Sequence, residues 1–399
     1  MMPIFKKAIP LFERIEQAGF EAYFVGGCVR DYILGKEIAD VDIATSATPQ
    51  EVKKVFPRTI DVGIEHGTVV VLWDKDTYEL TTFRTDGEYI DFRRPSDVTF
   101  IRNLEEDLKR RDFTMNSIAM DKEGHLIDPF HGQEAIKQRI IKTVGSATER
   151  FHEDALRMMR AVRFVSQLSF SIEIETLQAL RKYAILLENI ATERKTVEFE
   201  KLLQGENRKA ALQLLLDTGL FQYLPGMSNH EKSLTQLLQY NLKELSNIEM
   251  WSLLLFLIDI SPTETELFLR KWKLPVKKMK LAKSIVDWLQ FRHHSPWDND
   301  SLYKAGREII LSVERLFNIC HHQPLCTSIS DVKERYEGLM IKNRQELAVS
   351  GHDLIEWSGQ KGGPWVKGKL DLIEKAVLHG EVDNKRESIR EWLLNCNQN

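Results

Sequence analysis

From residue 4 to residue 19, Ile4, Ile9, Phe12, Ile15 and Ala18 recur at helical spacing and Gly19 closes the segment, so the pattern predicts an amphipathic helix. The next run, Glu21-Ala22-Tyr23-Phe24-Val25, is short, apolar and aromatic, which is strand character. Gly26-Gly27 then permits a sharp turn and a close backbone approach to a ligand. Cys28 to Leu34 is periodic enough for a short helix, ended by Gly35. Asp40-Val41-Asp42-Ile43-Ala44 alternates polar and apolar residues and predicts a strand. Thr48-Pro49 reads as an N-cap with proline at the first helical position, opening a helix to about Phe56. Thr68 to Trp73 and Thr77 to Phe83, joined by Asp74-Lys75-Asp76, predict a hairpin. Arg84 to Phe100 is polar and turn-rich, a long loop without regular structure and therefore a functional candidate. Beyond about residue 150 nearly every segment has helical period, with breaks near Pro225-Gly226, Ser261-Pro262 and Pro296, and no β-rich run is expected after Ile141. The expected class is α+β: a small N-terminal mixed β-sheet head followed by an all-α remainder.

Composition narrows the functional classes. At 399 residues the chain has room for roughly two to four domains. A net charge of −4 excludes a globally basic nucleic-acid binder, so a nucleic-acid partner requires a local basic patch. Cys28, Cys320, Cys326 and Cys396 are too few and too scattered for a disulfide framework, which points to a reducing cytoplasm. Cys320-His321-His322 with Cys326 matches no standard zinc spacing. No signal peptide is expected, and the most apolar run, Leu253 to Ile258, is far too short to span a bilayer.

The candidate chemistry begins at Asp40 and Asp42. Positions i and i+2 of a strand share a face, so the two carboxylates would stand side by side and repel. A divalent cation resolves this, and Mg²⁺ prefers carboxylate oxygens together with substrate phosphates. Taken alone, the pair also fits a surface loop. Glu79, in the second hairpin strand, becomes a third acidic group if that strand lies beside the first; otherwise it is an exposed strand carboxylate. Further on, Lys109-Arg110-Arg111 precedes Asp112-Phe113-Thr114-Met115-Asn116, and Glu153-Asp154-Ala155-Leu156-Arg157 precedes Arg160 and Arg163. Steps of three advance about 300° on an α-helix, so the three arginines stay within one broad face. In isolation they also fit a surface salt-bridged to Glu153 and Asp154.

Gly26-Gly27-Cys28-Val29-Arg30-Asp31 followed by Asp40-Val41-Asp42 resembles the opening motif of polymerase-β-type nucleotidyltransferases, in the branch holding class II CCA-adding tRNA nucleotidyltransferases and bacterial poly(A) polymerases. Asp107 to Ser117 is similar to the family's ribose-recognition motif, which assigns Arg111 to the ribose. Glu-Asp-x-x-Arg at 153–157 is similar to its base-selecting motif, which assigns Asp154 and Arg157 to the base and Arg160 and Arg163 to the triphosphate. Asp128 to Gly132 resembles a hinge, and Ile190 to Leu203 a helix-supporting element taken as structural. Gly27 and Arg30 would meet the triphosphate, since a glycine turn ahead of a helix offers N–H groups to anions.

The resemblance covers essentially the whole chain, most specifically residues 22–203. It implies a nucleotidyltransferase head over 1–145, a helical neck over 146–225, a body over 226–300 and a tRNA-binding tail over 301–399, the helical part being elongated. Lys361, Lys367 and Lys369 of the tail suit phosphate contacts. The implied reaction is template-independent addition of C, C and A to the tRNA 3′ end from CTP and ATP, with Asp40 and Asp42 holding Mg²⁺. The tRNA would be gripped at acceptor end and elbow; the sequence leaves the oligomeric state open, with a homodimer as one candidate. A bacterial poly(A) polymerase, or an enzyme adding only CC or only A, are the alternatives. The absence of a basic extension weighs against the first, and the full-length Arg84–Pro95 loop against a CC-only enzyme. Hydrogen-bond polarity supports the base assignment. Cytosine N4 and adenine N6 both donate, and both lie beside a ring nitrogen that accepts, so an Asp–Arg pair takes C and A while rejecting G and U.

Overall fold

The computed structural model describes residues 2–87 and 98–396. The chain divides into two compact units, Met1–Thr235 with Lys271–Lys273, and Gln236–Arg270 with Leu274–Asn399.

The first unit opens with helix α1 (Pro3–Gln17), whose apolar stripe of Phe5, Ala8, Leu11, Phe12 and Ile15 is buried. Phe5 and Phe12 place their ring centroids 4.7 and 4.3 Å from that of Phe24 in strand β1 (Ala22–Val25). Helix α2 (Gly27–Ile33) follows, then β2 (Asp42–Thr45) and α3 (Pro49–Val55). A full capping box starts α3, in which the Thr48 side chain takes the Glu51 N–H and the Glu51 carboxylate takes the Thr48 N–H. Strand β3 (Thr59–Asp61) precedes the expected hairpin, β4 (Thr68–Trp73) and β5 (Asp76–Thr82). Asp74 and Lys75, with φ of 45° and 71°, take the left-handed conformation that a tight two-residue hairpin turn requires.

The segment after the hairpin is more regular than its composition suggested. Strands β6 (Arg84–Asp86) and β7 (Val98–Phe100) pair antiparallel as a two-stranded ribbon. Most of the Arg84–Pro95 loop, residues 88–95, lies outside the described residues. Helix α4 (Leu104–Lys109) and strands β8 (Ala119–Met120) and β9 (Leu126–Ile127) complete the head. Its seven-stranded sheet has the order β3-β4-β5-β2-β1-β8-β9. All of its pairings are antiparallel except β2 with β5, where Asp42 lies directly opposite Glu79. Val25, Ala44, Phe83, Leu108 and Ala119 form a buried cluster that ties this junction to α4.

Beyond the head come α5 (Gly132–Gln138), β10 (Ile140–Ile141), α6 (Ala147–Glu153), α7 (Leu156–Leu168), β11 (Ser171–Ile172), α8 (Ile174–Tyr183), α9 (Thr192–Gln204), α10 (Arg208–Thr218) and α11 (Glu231–Leu237). Strand structure therefore does recur after Ile141, because β11 pairs parallel with β10. Two residues are too few to leave a period-2 signature. The backbone passes the α7–α9 contact at Gly205, where a Cβ would sit 2.6 Å from the Ser166 backbone.

The second unit has no strand among its described residues and consists of helices α12 (Asn247–Ile258), α13 (Pro262–Lys271), α14 (Val276–His294), α15 (Asn299–Ala305), α16 (Arg307–Cys320), α17 (Leu325–Glu337), α18 (Gly351–Ser358), α19 (Pro364–Leu378) and α20 (Arg386–Cys396) with their connecting turns. Helix α12 is apolar nearly all round and accordingly buried. Buried Glu314 of α16 is satisfied by Arg292 Nε and Trp297 Nε1, each at 2.9 Å. Among the described residues no helix is long and apolar enough to cross a membrane.

Candidate active site

Gly26 has φ of 74°, and a Cβ there would meet Arg111 Nη1 at 3.4 Å and Asp42 Oδ2 at 3.6 Å. Only glycine takes that conformation freely, and the turn it makes runs alongside both charged groups. Asp42 begins β2, while Asp40 precedes the strand in irregular backbone. The expected strand is thus two residues shorter at this end, and the i, i+2 argument does not place the two carboxylates. The β2–β5 register supplies what it missed, since Glu79 stands beside Asp42. Burial pushes the Asp42 carboxyl above its ordinary range, Glu79 and Asp40 push it further, and Arg111 opposes them. This is a carboxylate crowded by like charge, a donor set that a divalent cation fits.

Asp42 also lines a cavity of 490 Å³ together with every other predicted site residue except Asp40: Gly27, Arg30, Arg111, Asp154, Arg157, Arg160 and Arg163. Asp40 borders a neighbouring cavity of 430 Å³, where Asp42 and Glu79 join it. The larger cavity is walled by seven arginines against three aspartates, a polyanion-binding balance. Several of these arginines already hold carboxylates that fix their orientation. Arg111 bonds Asp107 at 3.0 Å, Arg30 bonds Asp31 at 2.9 Å, and Arg157 pairs with Glu153. Arg163 bonds Glu198 at 2.5 Å. Phe164 gathers three guanidinium groups, with Arg163, Arg30 and Arg160 at 4.0, 5.2 and 5.7 Å from its ring centroid.

The stretch expected to select the base, Glu153 to Arg157, is not one continuous helix. Asp154 takes extended geometry, φ −139° and ψ 100°, at the break between α6 and α7. Its carboxylate is held by Arg194, at 3.1 Å on Oδ1 and 2.7 Å on Oδ2, and Oδ1 also accepts the Leu156 N–H at 3.1 Å. The Arg157 backbone N–H donates to the Asp154 carbonyl at 3.0 Å, whereas its guanidinium is held by other partners. Besides Glu153, it donates to the carbonyls of Arg150 and Arg110.

A second network was not foreseen. Asp112 is almost wholly buried and accepts from Asn116 Nδ2 at 3.1 Å and Arg160 Nε at 2.7 Å, while Arg30 Nη1 donates to Asn116 Oδ1 at 2.8 Å. Burial alone would raise the Asp112 carboxyl, but Arg160, Asn116 and Arg157 hold it down at about 2. Asp112, Asn116, Phe164 and Arg194 therefore belong to the site, although sequence reasoning took Arg194 for structural support. The available signal was a charged Thr192-Glu193-Arg194 at a helix start, which periodicity cannot distinguish from a solvated face.

Among the described residues, the side chains whose ligand atoms lie within 4.8 Å of one another in a group of three are Asp121, Glu123 and His125. They sit in the β8–β9 turn, where Asp121 accepts the His125 N–H at 2.8 Å, and border neither cavity. Cys320 joins no such group, and the Cys326 side chain lies outside the described residues.

The sequence matches three family profiles: residues 22–142 a "Poly A polymerase head domain", residues 169–230 a "Probable RNA and SrmB- binding site of polymerase A", and residues 243–393 a "tRNA nucleotidyltransferase domain 2 putative". A CCA-adding enzyme of Geobacillus sp. (strain WCH70) is 50% identical over 397 residues, covering 98% of this chain and 97% of that one. One of Bacillus cereus (strain ATCC 10987 / NRS 248) is 50% identical over 397 residues, covering 99% and 100%. The crystal structure of the Bacillus stearothermophilus CCA-adding enzyme in complex with CTP superposes with a TM-score of 0.90 at 48% identity, covering 100% of this chain and 98% of that one.

Proposed function

We infer that this chain, which belongs to the family of CCA-adding enzymes, completes and repairs the 3′-terminal CCA of tRNA, using CTP and ATP in the order C, C, A and releasing pyrophosphate. The observation that carries the assignment of residues is the arginine-walled cavity with Asp42 at one side and Asp154, Arg157 and Arg194 among its lining. Asp40 and Asp42 are the carboxylates that would hold Mg²⁺, with Glu79 beside Asp42 as a third acidic neighbour. When bound there, divalent metal lowers the pKa of the attacking 3′-hydroxyl and offsets the charge of the leaving pyrophosphate. Arg30, Arg160 and Arg163, gathered on Phe164, take the triphosphate with the Gly27 backbone, and Arg111 takes the ribose. A tRNA substrate and unpaired cysteines such as buried Cys28 fit a reducing cytoplasm.

Base choice falls to Asp154 Oδ2. Arg194 and the Leu156 N–H occupy Oδ1, whereas Oδ2 carries the single Arg194 bond and keeps acceptor capacity for the amino group of C or A. Arg157 retains donor hydrogens beyond those given to Glu153 and the two carbonyls, and one of them would serve the ring nitrogen beside that amino group. Such a pair discriminates by roughly 1–3 kcal/mol, so Asp154→Ala should lower the CTP-to-UTP preference about ten- to a hundredfold. Arg194→Ala, which leaves the carboxylate but frees its orientation, should lower it less. The assay measures UMP and GMP misincorporation on tRNA ending just before the first C. If Asp154→Ala slows all nucleotides equally and leaves the ratios intact, Asp154 supports the α6–α7 break and does not read the base.

A further inference from the structure

Two arginines of the nucleotide cavity, Arg30 of α2 and Arg160 of α7, stand on different elements, and one side chain between them joins their networks. Asp31 holds Arg30 at Nε and at Nη2, each at 2.9 Å, and Arg30 Nη1 donates to Asn116 Oδ1 at 2.8 Å. Asn116 Nδ2 donates onward to Asp112 Oδ1 at 3.1 Å, and Asp112 Oδ2 accepts Arg160 Nε at 2.7 Å. The chain Asp31–Arg30–Asn116–Asp112–Arg160 thus runs unbroken from α2 to α7. Asn116 sits at its centre, in the short turn Thr114–Asn116, with 7% of its surface exposed. A Cβ on Gly27 would lie 3.6 Å from Arg30 Nη2, so the same chain sets this guanidinium against the Gly27 turn. Phe164 attracts both guanidinium groups, but a ring face does not direct individual N–H groups, so that direction falls to the hydrogen bonds.

Resting on the nucleotide assignment above, we propose that Asn116 is a positioning residue for the triphosphate: its amide sets Arg30 and Arg160 in register by offering an acceptor to the one and a donor to the carboxylate that holds the other. Polarity is the reason an amide stands here. A guanidinium only donates and an ionised carboxylate only accepts, so the group between them must accept on one side and donate on the other. The amide does both without adding charge. An aspartate of the same shape would set a second carboxylate against Asp112, and two carboxylates sharing a site repel until one takes a proton. Once protonated it would replace the amide faithfully, its carbonyl accepting from Arg30 and its hydroxyl donating to Asp112. The charged groups around this position are Arg30 and Asp31 of α2, Asp112 beside it in the chain, and Arg157 and Arg160 of α7. Helix α5 packs on the same turn with its Glu134 and Lys137 exposed.

The test uses the full-length protein, a tRNA lacking its CCA end, CTP, and tripolyphosphate as a competitor that carries the triphosphate without ribose or base. Asn116→Ala should raise the KM for CTP about ten- to a hundredfold, the range of a hydrogen bond to a charged group. The inhibition constant of tripolyphosphate should rise by the same factor, and the KM for RNA should stay put. Asn116→Asp should lose more than Asn116→Ala at about pH 8, and its KM for CTP, taken relative to wild type at each pH, should fall steadily towards about pH 5 as the added carboxyl takes its proton. A tripolyphosphate constant that does not move in Asn116→Ala overturns the proposal. So does a rise in the KM for RNA that matches the rise for CTP, or an Asn116→Asp penalty that is the same at both ends of the pH range. If tripolyphosphate fails to compete with CTP on the wild-type protein, the arginine cavity does not take the triphosphate, and the nucleotide assignment falls together with this proposal.

Discussion

Replacing Asp112 by alanine tests how the site is held in place. Its Oδ1 accepts the Phe113 N–H at 2.8 Å and Asn116 Nδ2 at 3.1 Å, and its Oδ2 accepts Arg160 Nε at 2.7 Å, all at 7% exposure. Removing one partner of a buried ion pair costs about 3–5 kcal/mol, because the other charge stays behind. That is a large fraction of a typical folding free energy of about 5–15 kcal/mol. The carboxyl's pKa of about 2, against an ordinary 3.8, gives a second measure. At about 1.36 kcal/mol per unit the shift is worth roughly 2–3 kcal/mol. The pKa is depressed in the folded state, so this contribution is present above the ordinary carboxylate range and is lost as pH falls through about 2. Urea unfolding followed by circular dichroism should therefore show Asp112→Ala destabilised by about 3 kcal/mol or more at neutral pH. The difference from wild type should shrink by roughly half of the pKa-linked part near pH 3. A penalty below about 1 kcal/mol, or one that does not change with pH, would refute the claim that Asp112 is ionised and pins Arg160.

Asp42→Asn should abolish transfer yet raise the urea midpoint. The Asp42 carboxyl is pushed up by burial and by Glu79 and Asp40, so its ionised form subtracts stability above the ordinary carboxylate range. Mg²⁺ should raise the midpoint of wild type and not of the variant, and near-normal turnover or a lowered midpoint would contradict the assignment. Arg111→Ala should narrow the CTP-to-dCTP ratio of kcat/KM if Arg111 contacts the ribose. Because Arg111 also lowers the Asp42 carboxyl, the variant should in addition move the acid limb of the pH–rate profile upward, and an unchanged ratio would leave Arg111 only that electrostatic role.

What the residues determine on their own is local. The α1 stripe, the Thr48–Glu51 capping box, the Asp74-Lys75 hairpin turn and the helical period after the head are legible because neighbours within about four positions create them. The family motifs are legible for the same reason, and through the resemblance they assigned Asp42, Arg111, Asp154 and the arginines of α7 to nucleotide and metal handling; that these residues line one cavity is seen only in the fold. The pairings that make the cavity work are distant in the chain, and no local period encodes them. Arg194 reaches Asp154 across 40 positions, Arg160 reaches Asp112 across 48, and Arg30 reaches Asn116 across 86. The parallel β2–β5 register, which sets Glu79 beside Asp42 and leaves Asp40 outside the strand, follows from how α3 and the hairpin return the chain to the sheet. Sequence periodicity reports which face of an element is buried; which charged groups meet across that face is decided only when the elements pack.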